Sequence, residues 1–333
     1  MILALAGGVG GARLAVGLAQ VLGPRELAIV VNTGDDFEHL GLTICPDIDT
    51  VVYTLAGVHN PATGWGRADE TWSCMHALRE LGGESWFQLG DRDLAMHVLR
   101  AQALRRGTPL SQVTADLARR LGVRPPVIPM SDTPVRTRVK TNRGELAFQD
   151  YFVRLKCKPR VLGFRFAGAS RARVPPQLAT LLASRRIDAV VICPSNPYVS
   201  VAPILRVPGV ASCLRARRVP VVAVSPIVGG AAVKGPAGKI MRELGVEVSA
   251  LGVARHYGAR VDGWVIDGAD AALGEAIEAL GRSVRVTDTL MTDRAASKRL
   301  AAEVVRFARG LSRGACSSDL ARATSGSCFR CSV

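Results

Sequence analysis

Aromatic residues make up only 5% of the 333 residues, and none alternates with basic side chains as a stacking surface for single-stranded nucleic acid would. No reading helix is recognisable either, so the formal charge of +15 does not point to a nucleic-acid partner. The basic residues are mostly arginine and sit in pairs such as Arg105-Arg106, Arg119-Arg120 and Arg185-Arg186, and in the run Arg215 to Arg218. Such pairs suit the C-terminal turns of helices, where cations complement the dipole. An anionic small ligand accounts for part of the remaining charge.

Long hydrophobic runs are missing as well. The apolar stretch Met1 to Ala6 is short and follows no basic segment, so neither a signal peptide nor a membrane partner is expected, and the expected location is cytoplasmic. The eight cysteines are scattered, as reduced thiols would be. Cys328-Phe-Arg-Cys331 has neither a second pair nor a nearby histidine, which argues against structural zinc. Histidines 39, 59, 76, 97 and 256 show no metal-ligand spacing, and no G-x-S-x-G elbow exists to hold a nucleophile. Chemistry through a covalent intermediate is not expected.

What is present is an α/β pattern of 48% apolar composition. The chain opens MILALAGGVGGARLA, a buried-strand pattern followed by Gly7, Gly8, Gly10 and Gly11 and then a helical pattern from Ala12 to Leu22. A glycine turn between strand and helix leaves helix N–H groups for an anion and admits a ligand close to the backbone. The Rossmann fingerprint fails, because its third glycine would fall at Arg13 and the second strand, Leu27 to Val31, ends in Asn32 instead of an acid. The P-loop also fails, since Gly-Ala-Arg replaces Gly-Lys-Ser/Thr.

Further along, Asp35, Asp36, Asp47 and Asp49 fall within fifteen residues, the first pair directly after a strand. Hard oxygen ligands beside a phosphate site suit magnesium. Helix capping explains Asp47 or Asp49 but not Asp35-Asp36. Residues 57 to 125 read as helical, with Asp69, Asp91 and Ser111 as caps of three helices, and Thr137 to Arg154 as a hairpin about Asn142-Arg143-Gly144. Strands resume at Ala189 to Ile192, Val219 to Val224 and Val261 to Ile266. The first two end in Cys-Pro-Ser-Asn-Pro and Ser-Pro-Ile-Val-Gly-Gly loops that suggest one ligand groove. A helix from Arg294 to Arg309 closes the fold.

The expected architecture is a Rossmann-like three-layer α/β/α core with a mostly parallel sheet. It forms one domain over 1–309: core 1–57 and 155–309, with a largely helical insertion plus β-hairpin over about 58–154. Residues 310–333 are expected to be a disordered tail.

The segments AGGVGGAR, NTGDDFEHLGLTICPDIDTVVYTLAG, GWGRADETW, LGDRDLA, FQDYFVR, CPSNPYVSVAPIL, SPIVGG with KGPAGK, and RHYGA together resemble the 2-phospho-L-lactate transferase family of coenzyme F-420 biosynthesis, from Met1 to about Arg309. The resemblance implies transfer of a phospholactyl-type group from a guanosine diphosphate ester to the hydroxyl of the deazaflavin Fo, with release of GMP. It implies magnesium on Asp35, Asp36 and Asp49, one of Asp36 and Asp49 taking the hydroxyl proton. Gly7, Gly8, Gly10, Gly11, Asp49 and Gln88 fall on the Fo and diphosphate side, and Arg13 is available to the phosphates. Ser195, Asn196, Ser225, Gly229 and Gly230 fall on the guanosine side. A homodimer is in keeping with the family. The competing reading is a non-enzymatic nucleotide-sugar-binding regulatory protein of the related superfamily, whose motif resembles D-D-G-G-S-S-G, where this chain has Asp-Asp-Phe-Glu-His. The donor's acid (phospholactate, phosphoenolpyruvate or phosphoglycerate) is left open.

Overall fold

The structure is a computed structural model that describes residues 1–210, 214 and 219–324, with side chains described up to 311. Seven parallel strands form the central sheet. They are β1 (Ile2–Ala6), β2 (Leu27–Val31), β5 (Val127–Pro129), β9 (Ala189–Ile192), β10 (Val221–Val224), β13 (Gly263–Asp267) and β14 (Ser283–Thr287), in the order β14-β13-β10-β9-β1-β2-β5. The pleat divides each strand between two cores. Leu3 and Leu5 of β1 and Val190 and Ile192 of β9 face one. Ile2, Ala4 and Val191 face the other, with α1 (Gly8–Val21), α2 (Pro46–Ala56) and the C-terminal helix. From β1 the chain runs to β2 and β5 on one side, and β9 leads to β10, β13 and β14 on the other. The strand order therefore reverses between β1 and β9. In open α/β sheets that is where ligands bind, outside the carboxyl ends of the strands.

Two short ribbons flank the sheet: β3 (Phe37–His39) with β4 (Leu42–Ile44), and β11 (Ile227–Val228) with β12 (Ala231–Ala232). The hairpin of β6 (Arg136–Thr141) and β7 (Gly144–Ala147) gains a third strand, β8 (Val161–Ala167), along β6. Residues 127–129, inside the segment expected as an insertion, return to the central sheet as β5 on β2.

Several expectations need correction. The glycines do not precede helix α1; it begins at Gly8, so Gly8, Gly10 and Gly11 form its first turns. Glycine is required there by close approach. A methyl on Gly10 would collide with the Pro194 carbonyl oxygen, and one on Gly11 would sit 2.5 Å from Ser195 Oγ. Helix caps are exchanged between neighbours. Asp91 accepts Ser73 N and Cys74 N, both at 3.0 Å, and so caps α3 (Ser73–Glu80). Glu70 accepts Arg92 N and Asp93 N at 2.8 Å and caps α4 (Asp91–Arg105), while Asp69 caps neither. Ser111, at the start of α5 (Leu110–Arg120), donates its own N–H to Asp132 at 2.7 Å.

The last helix does not stop at Arg309 but runs from Arg294 to Thr324, so the first part of the expected tail is helical. The stripe Leu300, Val304, Ala308 continues in Leu311, which packs toward Gly263 of β13. Residues 325–333, with Cys328 and Cys331, and the run Arg215 to Arg218 lie outside the described residues.

The crossing of α1 with the C-terminal helix is tight at one point. A methyl on Gly17 would meet the Ser297 carbonyl, 2.6 Å from its carbon, and Ala301 Cβ at 3.0 Å. Alanine raises helix propensity by about 1 kcal/mol. Because the obstacle is backbone, overpacking outweighs that gain, and Gly17→Ala should cost about 1–3 kcal/mol. Urea unfolding checks it; an unchanged or raised midpoint would show that the helices slide apart freely.

Candidate active site

A cavity of about 520 Å³ opens at the switch point. Its base is the junction of three loops. Gly7 N donates to Ser195 Oγ at 3.1 Å, tying the end of β1 to the end of β9. Gly8 N donates to Asp47 Oδ1 at 2.8 Å, tying it to the first turn of α2. Asn32 joins all three: its Nδ2 donates to Asp47 Oδ2 at 2.9 Å and to the Val199 carbonyl at 3.2 Å, while its Oδ1 accepts Gly34 N. The residue that excluded the Rossmann reading is thus the fastener of the site, marked in the sequence as a polar side chain ending an apolar strand.

Two carboxylates dominate the floor. Asp35 and Asp47 line the cavity, and both are buried. Burial and the Asp47 charge push the Asp35 carboxyl well above the ordinary carboxylate range, and Asp35 Oδ1 has no partner among the described residues. Burial raises Asp47 to about 6, against the hydrogen bonds from Asn32 and Gly8. Two adjoining buried carboxylates without a counter-charge favour protonation or a bound cation. Asp36 is buried beside Cys45, off the cavity, and raised to about 8 by burial.

Asp49 also lines the cavity, but Arg100 of α4 holds both its oxygens: Nη2 donates to Oδ1 in a short contact and Nη1 to Oδ2 at 3.0 Å. Arg100 Nη1 also approaches His97 Nδ1 at 3.2 Å, and His97 Nε2 faces Asp93 Oδ2 at 3.3 Å. Tyr53 Oη donates to Asp93 Oδ1 at 2.6 Å. Burial raises the Asp93 carboxyl, but His97, Tyr53 and Arg100 outweigh it and hold it below its usual value. Asp93, His97 and Arg100 share one face of α4 at spacings of four and three, a signal present in LGDRDLAMHVLR.

Among the described residues no group of three or more His, Cys, Asp or Glu side chains is arranged to hold a metal ion. The expected trio Asp35, Asp36 and Asp49 is not brought together: one is off the cavity and one is engaged by Arg100. Asp35 with Asp47 fits a magnesium ion that keeps waters and takes its remaining oxygens from phosphate.

Of the other expected residues, Gly7, Gly8, Gly10, Gln88, Ser195 and Asn196 line the cavity. Gln88 sits at the rim and donates to the Ser85 carbonyl at 2.7 Å. Gly11 lies behind the first turn. Ser225, Gly229 and Gly230 stand off at the end of the next strand: Ser225 Oγ donates to the Ile227 carbonyl, and Gly229 N to Asp270 at 3.2 Å. The aromatic walls were not foreseen. Phe87, Phe148, Phe152 and Trp65 line the cavity, with Phe148 and Phe152 stacked at 5.4 Å.

The family model for 2-phospho-L-lactate transferase CofD matches residues 2–306. The chain belongs to the 2-phospho-L-lactate transferase CofD family. It is 43% identical over 320 residues to a phosphoenolpyruvate transferase of Kitasatospora aureofaciens, covering 94% of this chain and 99% of that one. It is 42% identical over 301 residues to a 2-phospho-L-lactate transferase of Methanosarcina acetivorans, covering 90% and 97%. Among solved structures, a UPF0052-family protein from Bacillus halodurans matches with a TM-score of 0.58 at 15% identity, covering 91% and 98%. That likeness shows the fold alone. This CofD-family protein is an enzyme, a transferase of coenzyme F-420 biosynthesis, as the sequence motifs led one to expect. No helix among its described residues is long and apolar enough to cross a membrane.

Proposed function

We propose that this CofD-family enzyme moves a phospholactyl-type group from a guanosine diphosphate ester to the hydroxyl of the deazaflavin Fo, releasing GMP, with magnesium as cofactor. The observation that supports it most is the pairing of an unneutralised carboxylate floor, Asp35 and Asp47, with the first turn of α1 in one aromatic-walled cavity. The flat faces of Phe148, Phe152 and Phe87 suit a tricyclic deazaflavin. In the reaction the Fo hydroxyl oxygen bonds to the phosphorus bearing the acid, and the bond from that phosphorus to the bridging oxygen breaks, leaving GMP. Such a transfer asks the protein for positioning and charge stabilisation. Magnesium held by Asp35 and Asp47 would neutralise phosphate oxygens. Val9 and Gly10 belong to the first turn, whose N–H groups have no carbonyl within the helix and can meet equatorial oxygens. Asp35 Oδ1, without a partner, is a better acceptor for the hydroxyl proton than Asp36, whose carboxyl is off the cavity.

On the guanosine side, Asn196 Oδ1 caps the following turn by accepting Tyr198 N at 3.0 Å, while its Nδ2 is buried without a partner among the described residues. Asn196→Asp keeps the cap and removes the donor. It should weaken GDP binding by about 1–3 kcal/mol and leave Fo binding unaltered, read by calorimetry with GDP and fluorescence with Fo. Loss of Fo affinity instead would reverse the groove.

Relatives named for phosphoenolpyruvate and for 2-phospho-L-lactate are about equally similar, so their names do not choose the acid. Fo incubated with each guanosine diphosphate ester in turn, with and without a magnesium chelator, should give one preferred product by mass together with GMP. Product formation without GMP, or none with any ester, would refute the reading.

A further inference from the structure

The acidic floor of the cavity faces a rim of opposite charge. Lys234, in the loop after β12, lines the mouth beside Trp65 and Gly66. Its ammonium donates to the Thr63 carbonyl at 2.5 Å and lies next to the first turn of α1: a methyl on Gly64 would touch Lys234 Nζ at 2.9 Å and Val9 Cγ1 at 2.8 Å. Arg13, one turn further along α1, spends Nη1 on the Met291 carbonyl at 2.6 Å. Burial and then the Arg13 charge lower the Lys234 pKa, so the two cations feel each other. Burial, Arg13 and Arg294 likewise hold His59 below its usual value.

Among the described residues no carboxylate forms an ion pair with Arg13, Lys234 or Arg294. Elsewhere on the surface basic side chains do find acids, as in Arg165 with Glu145, Arg299 with Asp288 and Lys239 with Glu243. Lys234, a cation at the mouth held only by a carbonyl and with Arg13 near it, sets up a field against the carboxylate floor that orients a ligand carrying an anionic end.

We propose that Lys234 binds the carboxylate of the donor's acid moiety. The assignment rests on the donor class given under Proposed function. The phosphorus bearing the acid belongs at the first turn of α1, and the carboxylate is joined to it through only an ester oxygen and one carbon. The cation that lines the mouth near that turn is Lys234. Phospholactate and phosphoenolpyruvate esters both carry this carboxylate, and a 3-phosphoglycerate ester carries one a single carbon further out, so Lys234 recognises an acid as such. The choice among the three falls to the groups around the neighbouring carbon.

The test compares KM for the guanosine diphosphate ester of lactate with KM for the same ester of lactamide, whose carboxylate is replaced by a neutral amide. GDP affinity by calorimetry is the reference. The wild-type enzyme should prefer the carboxylate by about 10-fold or more, the scale of a hydrogen bond to a charged group. Lys234→Met should reduce that preference to about two-fold or less while GDP affinity holds within about two-fold. Lys234→Gln keeps a donor for the Thr63 carbonyl without the charge and should lose the preference equally; Lys234→Arg should keep most of it. An unchanged preference in Lys234→Met overturns the assignment. So does an equal loss toward ester, amide and GDP, which would move Lys234 to the diphosphate. A wild-type enzyme that neither binds GDP nor turns over the lactate ester refutes the donor class itself, before any substitution is made.

Discussion

Arg100→Leu lowers the free energy of unfolding by about 3–5 kcal/mol, the cost of leaving a buried charge without its partner. Arg100 is 1% exposed and Asp49 5% exposed, so water cannot replace the guanidinium. Burial works against the Arg100 charge, but the Asp49 carboxylate more than compensates and raises its pKa. Asp49→Asn is expected to be nearly as costly, because it strands the guanidinium instead. Replacing both, as Asp49→Leu with Arg100→Met, should recover much of the loss, since apolar substitutes for a buried pair are often neutral. Urea denaturation of the two single variants and the double variant reads the cycle. Additive losses, or single losses below about 1 kcal/mol, the range of an exposed pair, would show that solvent reaches it. Activity lost on Asp49→Asn is therefore no evidence of catalysis unless the variant is shown to be folded.

That ion pair marks where sequence reading reached its limit. The strand at Ile2–Ala6, the strand Leu27–Val31 and the strand Ala189–Ile192 were legible because buried parallel strands are short unbroken apolar runs bounded by turn residues. That Asp35, Ser195 and Asn196 line one cavity was legible because parallel strands present their carboxyl ends to the same crevice. What could not be read is which of several like residues a distant side chain claims. Asp47 and Asp49 are two positions apart in α2, yet one is taken by Gly8 and Asn32 and the other by Arg100, fifty-one residues away. The exchanged caps, Asp91 on α3 and Glu70 on α4, fail for the same reason: local spacing supports a cap to the following helix equally well. The glycines, read from the sequence as admitting a ligand close to the backbone, are required by the close approach of the chain's own Pro194 and Ser195. Their helical placement depended on Pro194 and Ser195, which no window around Gly10 contains.

Asp35→Asn should reduce turnover by on the order of 10³-fold, the scale of losing one charge-stabilising group at a transferring centre. It should at the same time make the protein more stable. Asp35 is buried against another buried carboxylate, Asp47, which with burial holds its carboxyl well above the ordinary range, and among the described residues no cation side chain answers either of them, in contrast to Asp49 and its Arg100. An amide needs neither a buried charge nor an added proton and preserves the shape, a gain of about 1 kcal/mol, within the usual range of a stabilising substitution. The two effects have opposite signs, which separates this residue from Arg100, where stability falls. Melting without magnesium should show Asp35→Asn above the wild type, and added magnesium should narrow the gap by stabilising only the wild type, as any ligand of the native state does. A variant that melts lower than wild type without magnesium, or that keeps near-normal turnover, would place the charge of Asp35 among the fold's own supports and remove it from the chemistry.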